Sequence, residues 1–131
     1  MTTTTTIPNI GTGAGTNPLK ALLTYGQSPW MDYIRRDLLT GGGLKKYIDN
    51  DGLRGMTSNP AIFEKAVTGS NLYNDILTSP DAKNLDANGV FEKIAIRDVQ
   101  DACDIFKPVY LESQRRDGYV SLEVSPFLGF D

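Results

Sequence analysis

Short apolar runs alternate with amphipathic stretches along this chain. The run in residues 28–34, which holds Trp30, Met31, Tyr33 and Ile34, is opened by a Ser-Pro pair and suits a strand. Residues 53–58 and 119–124 have the same character and predict two more. Between them, apolar residues recur at three- and four-residue steps, the spacing of a helix with one buried face. Asn17 followed by Pro18 supplies a cap and a first helical residue for a helix over 18–24, closed by Gly26. A helix begun at 35–39 is interrupted by Gly41-Gly42-Gly43, residues 44–48 form another, and Asp49-Asn50-Asp51-Gly52 reads as a turn. Asn59-Pro60 repeats the cap signal ahead of Ala61, Ile62, Phe63, Ala66 and Val67, which predict a helix ending at Gly69. A further helix over 70–77 and a polar loop over 79–88 follow. The longest pattern runs over 88–113 and includes Val90, Ile94, Ala95, Val99, Ala102, Cys103 and Phe106. It places Cys103 on the apolar face as a buried, inert thiol. Pro108 is expected to bend or split this helix, because it removes a donor and crowds the preceding turn.

Strands separated by helices predict right-handed crossovers and a parallel sheet, hence an α/β fold. Parallel sheets are covered on both faces or closed into a barrel. Three strands cannot close one, so the pattern reads as the first part of something longer. Ser125-Pro126 ends the third strand, and residues 127–131 open an element they do not finish. Residues 1–16, rich in Thr, Gly, Pro and Asn, read as a flexible leader.

Composition narrows the chemistry. The 131 residues include no histidine and one cysteine, which leaves out Ser-His-Asp and Cys-His nucleophile pairs, imidazole metal sites and an internal disulfide. Acid–base work must fall to Asp, Glu, Lys or Tyr. A net charge of -3 argues against nucleic acid as a partner. No run approaches the ~20 apolar residues of a membrane span, and the threonine-rich start is no secretory signal, so a cytoplasmic setting is expected.

Each expected strand carries polar residues near its C-terminal end: Asp32, then Thr57 with Asn59 beyond, then Glu123. In parallel α/β folds these ends and the loops after them build the active site. Two carboxylates and an amide converging without histidine suit proton shuttling around a carbonyl. A plainer reading stands beside this one, in which Asp32 caps the next helix, Asn59 is only an N-cap, and Glu123 is solvated.

Three separated motifs then carry a likeness: Gly26-Gln27-Ser28-Pro29-Trp30-Met31-Asp32, the stretch Gly55-Met56-Thr57-Ser58-Asn59-Pro60 through Lys65, and Asp117-Gly118-Tyr119-Val120-Ser121-Leu122-Glu123-Val124-Ser125-Pro126. Together with Arg97-Asp98-Val99-Gln100-Asp101-Ala102-Cys103 they closely resemble transaldolases, in the longer bacterial form, over residues 17–131. The resemblance implies a (β/α)8 barrel of the TIM-barrel family, of which this chain holds only the first three strands and their helices. It implies no metal or organic cofactor. It also implies transfer of a dihydroxyacetone unit between sugar phosphates in the pentose phosphate pathway, through a lysine Schiff base. The expected substrates are sedoheptulose 7-phosphate, fructose 6-phosphate, erythrose 4-phosphate and glyceraldehyde 3-phosphate. By the same resemblance, Asp32 handles the proton of the hydroxyl at the cleaved bond. Asn59, with Thr57 beside it, binds dihydroxyacetone hydroxyls, and Glu123 acts through water in carbinolamine dehydration.

The Schiff-base lysine of the family lies on strand four and has no counterpart here. The seven lysines, Lys20, Lys45, Lys46, Lys65, Lys83, Lys93 and Lys107, all fall in helix patterns or loops, and Lys65 reads as a surface residue. The 131-residue piece alone is therefore expected to be inactive, a fragment that needs the rest of the barrel or self-associates through its exposed edge. A relative that cleaves fructose 6-phosphate without transfer is a further alternative. Minor signals stay minor. Gly11-Thr12-Gly13-Ala14-Gly15 follows no strand and lacks phosphate-loop spacing, and Arg115-Arg116 reads as a solvated turn. Trp30 reads as an aromatic packed under the first helices, with stacking on a sugar as the alternative.

Overall fold

The computed structural model describes residues 17–123. The expected leader over 1–16, the end of the third strand at Val124 and the residues after it lie outside that range. Helix α1 (Pro18–Thr24) starts where the sequence places it, with the Asn17 side chain accepting from the Leu19 amide at 2.9 Å. The Asn17 Nδ2 donates to the Asn50 carbonyl and the Asp51 carboxylate, which ties α1 to the turn ahead of the second strand.

Strands β1 (Trp30–Asp32), β2 (Gly55–Thr57) and β3 (Tyr119–Ser121) form one sheet in the order β1-β2-β3, all parallel. Trp30, Gly55 and Tyr119 lie level with one another, as do Met31, Met56 and Val120, and Asp32, Thr57 and Ser121. Side chains alternate across a strand, so the middle row points one way and the outer rows the other. Met56 is fully buried, and Met31 and Val120 pack against the core with it. The helices cover that face.

Helix α2 (Arg36–Thr40) ends at Gly41, and α3 (Gly43–Lys46) begins at the third glycine. Residues Tyr47–Asp51, expected as helix end and turn, instead continue α3 as a wider π turn, closed by Gly52. Burial explains the extension, since Leu44 is sealed in the core and Ile48 packs against it. Helix α4 (Pro60–Thr68) matches expectation. The helix expected over 70–77 shrinks to α5 (Asn74–Leu77), because Tyr73 ahead of it turns its ring into the core, edge-on to Phe63 at 5.8 Å. The polar loop contains a single 3-10 turn, Ala82–Asn84.

Helix α6 (Ala87–Glu112) is the backbone of the helical layer. Asp86 caps it by accepting from the Gly89 amide at 2.8 Å, and Ile94, Ala95, Asp98, Ala102, Phe106 and Val109 are its buried face. Pro108 does not split the helix, which runs unbroken through it. Pro108 and Asp104, whose carbonyl it leaves without a helical donor, are both exposed, so water can serve that carbonyl. Cys103 is exposed rather than buried, because it lies one residue past the Ala102 stripe, about 100° around the helix. Trp30 does not pack under the first helices either. It lies on the opposite face of the sheet, 43% exposed, over Gly55. A Cβ at Gly55 would stand 2.2 Å from the indole, so no other residue leaves room for the ring.

Candidate active site

Row alternation puts Asp32 and Thr57 on the face opposite the helices, at the C-terminal ends of β1 and β2. The Thr57 hydroxyl donates to Asp32 Oδ1 at 2.5 Å, and the Asn59 amide Nδ2 donates to Asp32 Oδ2 at 3.2 Å. Each carboxylate oxygen therefore has its own donor, one from the end of β2 and one from two residues past it. These bonds hold the Asp32 carboxyl below its ordinary range, the Thr57 bond more than the Asn59 bond.

Asn59 meets both readings of its sequence. Its Oδ1 accepts from the Ala61 and Ile62 amides at 3.1 and 3.3 Å and caps α4, while its Nδ2 serves Asp32. Accepting at one end fixes which end of the amide donates. Asp32 does not cap the helix after it, because the N-cap of α2 is Arg35 and no side chain bonds to it there.

Glu123 is exposed two residues beyond Ser121, and Asn59 stands two residues beyond Thr57. With Thr57 level with Ser121, the register extended in parallel brings Asn59 and Glu123 level, about 7 Å past the last paired row. One residue that the sequence did not single out sets this up. Ser58 is 5% exposed. Its amide donates to the Ser121 carbonyl at 3.0 Å, and its hydroxyl accepts from the Glu123 amide at 3.1 Å. The serine thus carries the β2–β3 ladder one step past its end. A buried serine inside a strand motif is the only hint the sequence offered.

No lysine joins this group. Lys20 lies on α1, Lys45 and Lys46 on α3, Lys65 on α4, Lys83 on the 3-10 turn, and Lys93 and Lys107 on α6. Lys45 pairs with Asp49, and Lys93 with Asp81, while Lys65 is exposed. Arg115 and Arg116 form the exposed turn expected before β3. A cavity of about 390 Å³ lined by Ser28, Arg54, Glu112, Ser113, Arg116 and Asp117 lies at the other, N-terminal end of the strands, away from Asp32. Its lining carries two cations and two carboxylates and has no net charge.

A second polar group is buried in the helical layer. Arg36 donates to Asp98 Oδ1 through Nε and Nη2 at 3.1 and 3.0 Å, and the Tyr73 hydroxyl donates to Asp98 Oδ2 at 2.9 Å. The Arg36 guanidinium also lies 4.5 Å over the Tyr73 ring. Burial pushes the Asp98 carboxyl up against the pull of both partners, and it pushes the Tyr73 phenol up as well. This cluster joins α2, the turn before α5, and α6, and it sits on the far side of the sheet from Asp32.

Residues 29–131 match a family model described as Transaldolase/Fructose-6-phosphate aldolase. "Transaldolase 2" of Nostoc punctiforme is 44% identical over 116 residues, which are 88% of this chain and 30% of that protein. "Transaldolase" of Trichodesmium erythraeum is 42% identical over 116 residues, with the same shares. "Transaldolase" of Thiobacillus denitrificans is 44% identical over 115 residues, 88% of this chain and 32% of its own length. The chain therefore spans just under a third of the length of these relatives.

Proposed function

The chain belongs to the transaldolase/fructose-6-phosphate aldolase family, and from that membership we propose that it carries the proton-handling half of a transaldolase site. Asp32 takes and returns the proton of the hydroxyl at the carbon–carbon bond being cut. Asn59 and Thr57 hold the hydroxyls of the dihydroxyacetone unit, and Glu123 works through water when the carbinolamine loses its own. The lysine that forms the Schiff base comes from protein outside these residues, within a (β/α)8 barrel. The substrates are the sugar phosphates named above, in a cytoplasmic pentose phosphate pathway.

The observation that carries this reading is the Thr57–Asp32–Asn59 hydrogen-bonded group at the ends of adjacent parallel strands. Open to water, Asp32 is a weak base. Covering its face with further protein removes solvent and raises its proton affinity towards the range that general-base catalysis needs.

The test is an intact mass of the 131-residue chain after incubation with fructose 6-phosphate and borohydride. Imine formation with the ketose expels water, cleavage of its C3–C4 bond releases glyceraldehyde 3-phosphate, and hydride reduction of the remaining imine fixes the three-carbon unit on nitrogen. The expected mass is that of the unmodified chain. A stable three-carbon adduct on it would mean that one of the seven lysines reaches the carbonyl, and the division of labour proposed here would fall.

A further inference from the structure

Four charged side chains line the cavity of about 390 Å³ at the N-terminal end of the strands: Arg54, Glu112, Arg116 and Asp117. The ion pairs among the described residues all lie elsewhere, so two cations and two anions share one cavity without pairing. Arg54 Nε is buried with no hydrogen-bond partner, a costly arrangement for a polar atom. Its backbone holds it there. The Arg54 amide donates to the Pro29 carbonyl at 2.9 Å, and its carbonyl accepts from the Gly118 amide at 2.7 Å, which carries the sheet one row back from Gly55. Alternation turns Arg54 to the helix side with Met56. The cavity is walled by α1, the end of α6 and the connections that enter β1 and β3, and no residue of either outer strand lines it.

Bonds of their own hold the opposite charges in place. Ser28 Oγ donates to Asp117 Oδ1 at 2.6 Å, Arg116 Nε donates to the Ser113 carbonyl at 3.1 Å, and the Asp117 amide donates to Ser113 Oγ at 2.9 Å. Gln114 and Arg115, in the turn that delivers Arg116 and Asp117 to the wall, take left-handed backbone with φ of 55° and 69°, which non-glycine residues adopt at a cost. An anion alone would meet repulsion from the two carboxylates, and a cation alone from the two guanidiniums. A molecule that carries both signs pairs with each. We propose that this cavity is a binding site for a free amino acid or a similar small zwitterion, with the ligand carboxylate on Arg54 and Arg116 and its ammonium on Glu112 and Asp117. The site lies at the opposite end of the sheet from Asp32 and is independent of the chemistry proposed there.

The probes for the test are L-alanine, propionate and ethylamine, which present both charges, the carboxylate alone and the ammonium alone. Each is titrated into the 15N-labelled chain at constant pH and ionic strength, followed by the amide signals of Ser113, Asp117 and Gly118, with Thr57 as the reference. The expected result is a saturable shift with L-alanine at the cavity amides and none at Thr57. Both single-charge probes should bind at least tenfold more weakly. Arg54→Gln and Glu112→Gln should each weaken L-alanine at least tenfold, and Glu112→Gln should leave propionate no weaker. Lys107→Gln removes a charge from an exposed position on α6 outside the cavity and should change nothing. Absence of saturation with L-alanine overturns the proposal. So does propionate or ethylamine binding as tightly, or L-alanine binding that is indifferent to the two cavity variants. If Arg54→Gln loses the folded spectrum, Glu112→Gln, at an exposed side chain, decides.

Discussion

At the scale of single residues, Asp32 and Asp98 show what surroundings do to one carboxyl. Asp32 faces water with two donors and is held more acidic than usual. A carboxyl depressed by folding contributes stability above its ordinary pKa, and that contribution is lost as pH falls through the folded value. Thr57→Val removes the stronger donor, so the Asp32 pKa should rise towards the ordinary value in a carboxyl-carbon NMR titration; an unchanged value would show that the bond is not made in solution. Asp98 is the opposite case, with a fully buried side chain held by Arg36 and Tyr73. Removing one partner of a buried pair strands the other, so Asp98→Ala should cost about 3–5 kcal/mol in urea unfolding. The sequence offered a signal for this burial that periodicity of apolar residues alone passes over. Residues 94, 98, 102 and 106 step by four down one helix face, and a charge on that stripe has to be paired inside.

Among the elements, α4 and α6 are the instructive ones. The start of α4 was legible because Asn-Pro is a local signal, and local signals survive folding. Asn59→Ala should remove about 0.5–2 kcal/mol of stability through the lost cap and also raise the Asp32 pKa. Asn59→Asp keeps an acceptor for the cap but sets a second carboxylate against the first, so it should raise the Asp32 pKa further while holding more of the stability. A change in only one of the two readouts would separate roles that the structure joins. In α6, Pro108 does not split the helix as its local penalty suggested, and Phe106 and Val109, both buried on either side of it, keep the two halves in one element. Pro108→Ala restores a backbone donor and should stabilise the chain by up to about 3 kcal/mol, seen as a higher urea midpoint. No gain would mean that the ring makes compensating contacts.

For the whole molecule, the parallel sense of the sheet followed from the alternation of runs, since crossovers of this length allow little else. Which face each residue meets was harder. Trp30 and Cys103 were assigned to the interior on local pattern, but their exposure depends on where the helical layer stops, and no short window of sequence records that. The one-sided sheet carries a prediction of its own. Among the described residues, β2 is paired on both sides and β1 and β3 on one each, so hydrogen exchange should be slowest at Met56 and Thr57 and faster in both neighbours. Equal protection across the three strands would mean that the outer edges find partners in solution.

The shared side chain of Asn59 has a thermodynamic consequence. Fraying the first turn of α4 frees the amide that Asp32 depends on, and protonating Asp32 weakens the amide's hold at its other end. Because the two equilibria share one group, each must shift the other by the same free energy. The acidity of one carboxyl is thus a gauge of order in a helix it never touches through the backbone, and acidification should loosen that helix before the rest of the chain.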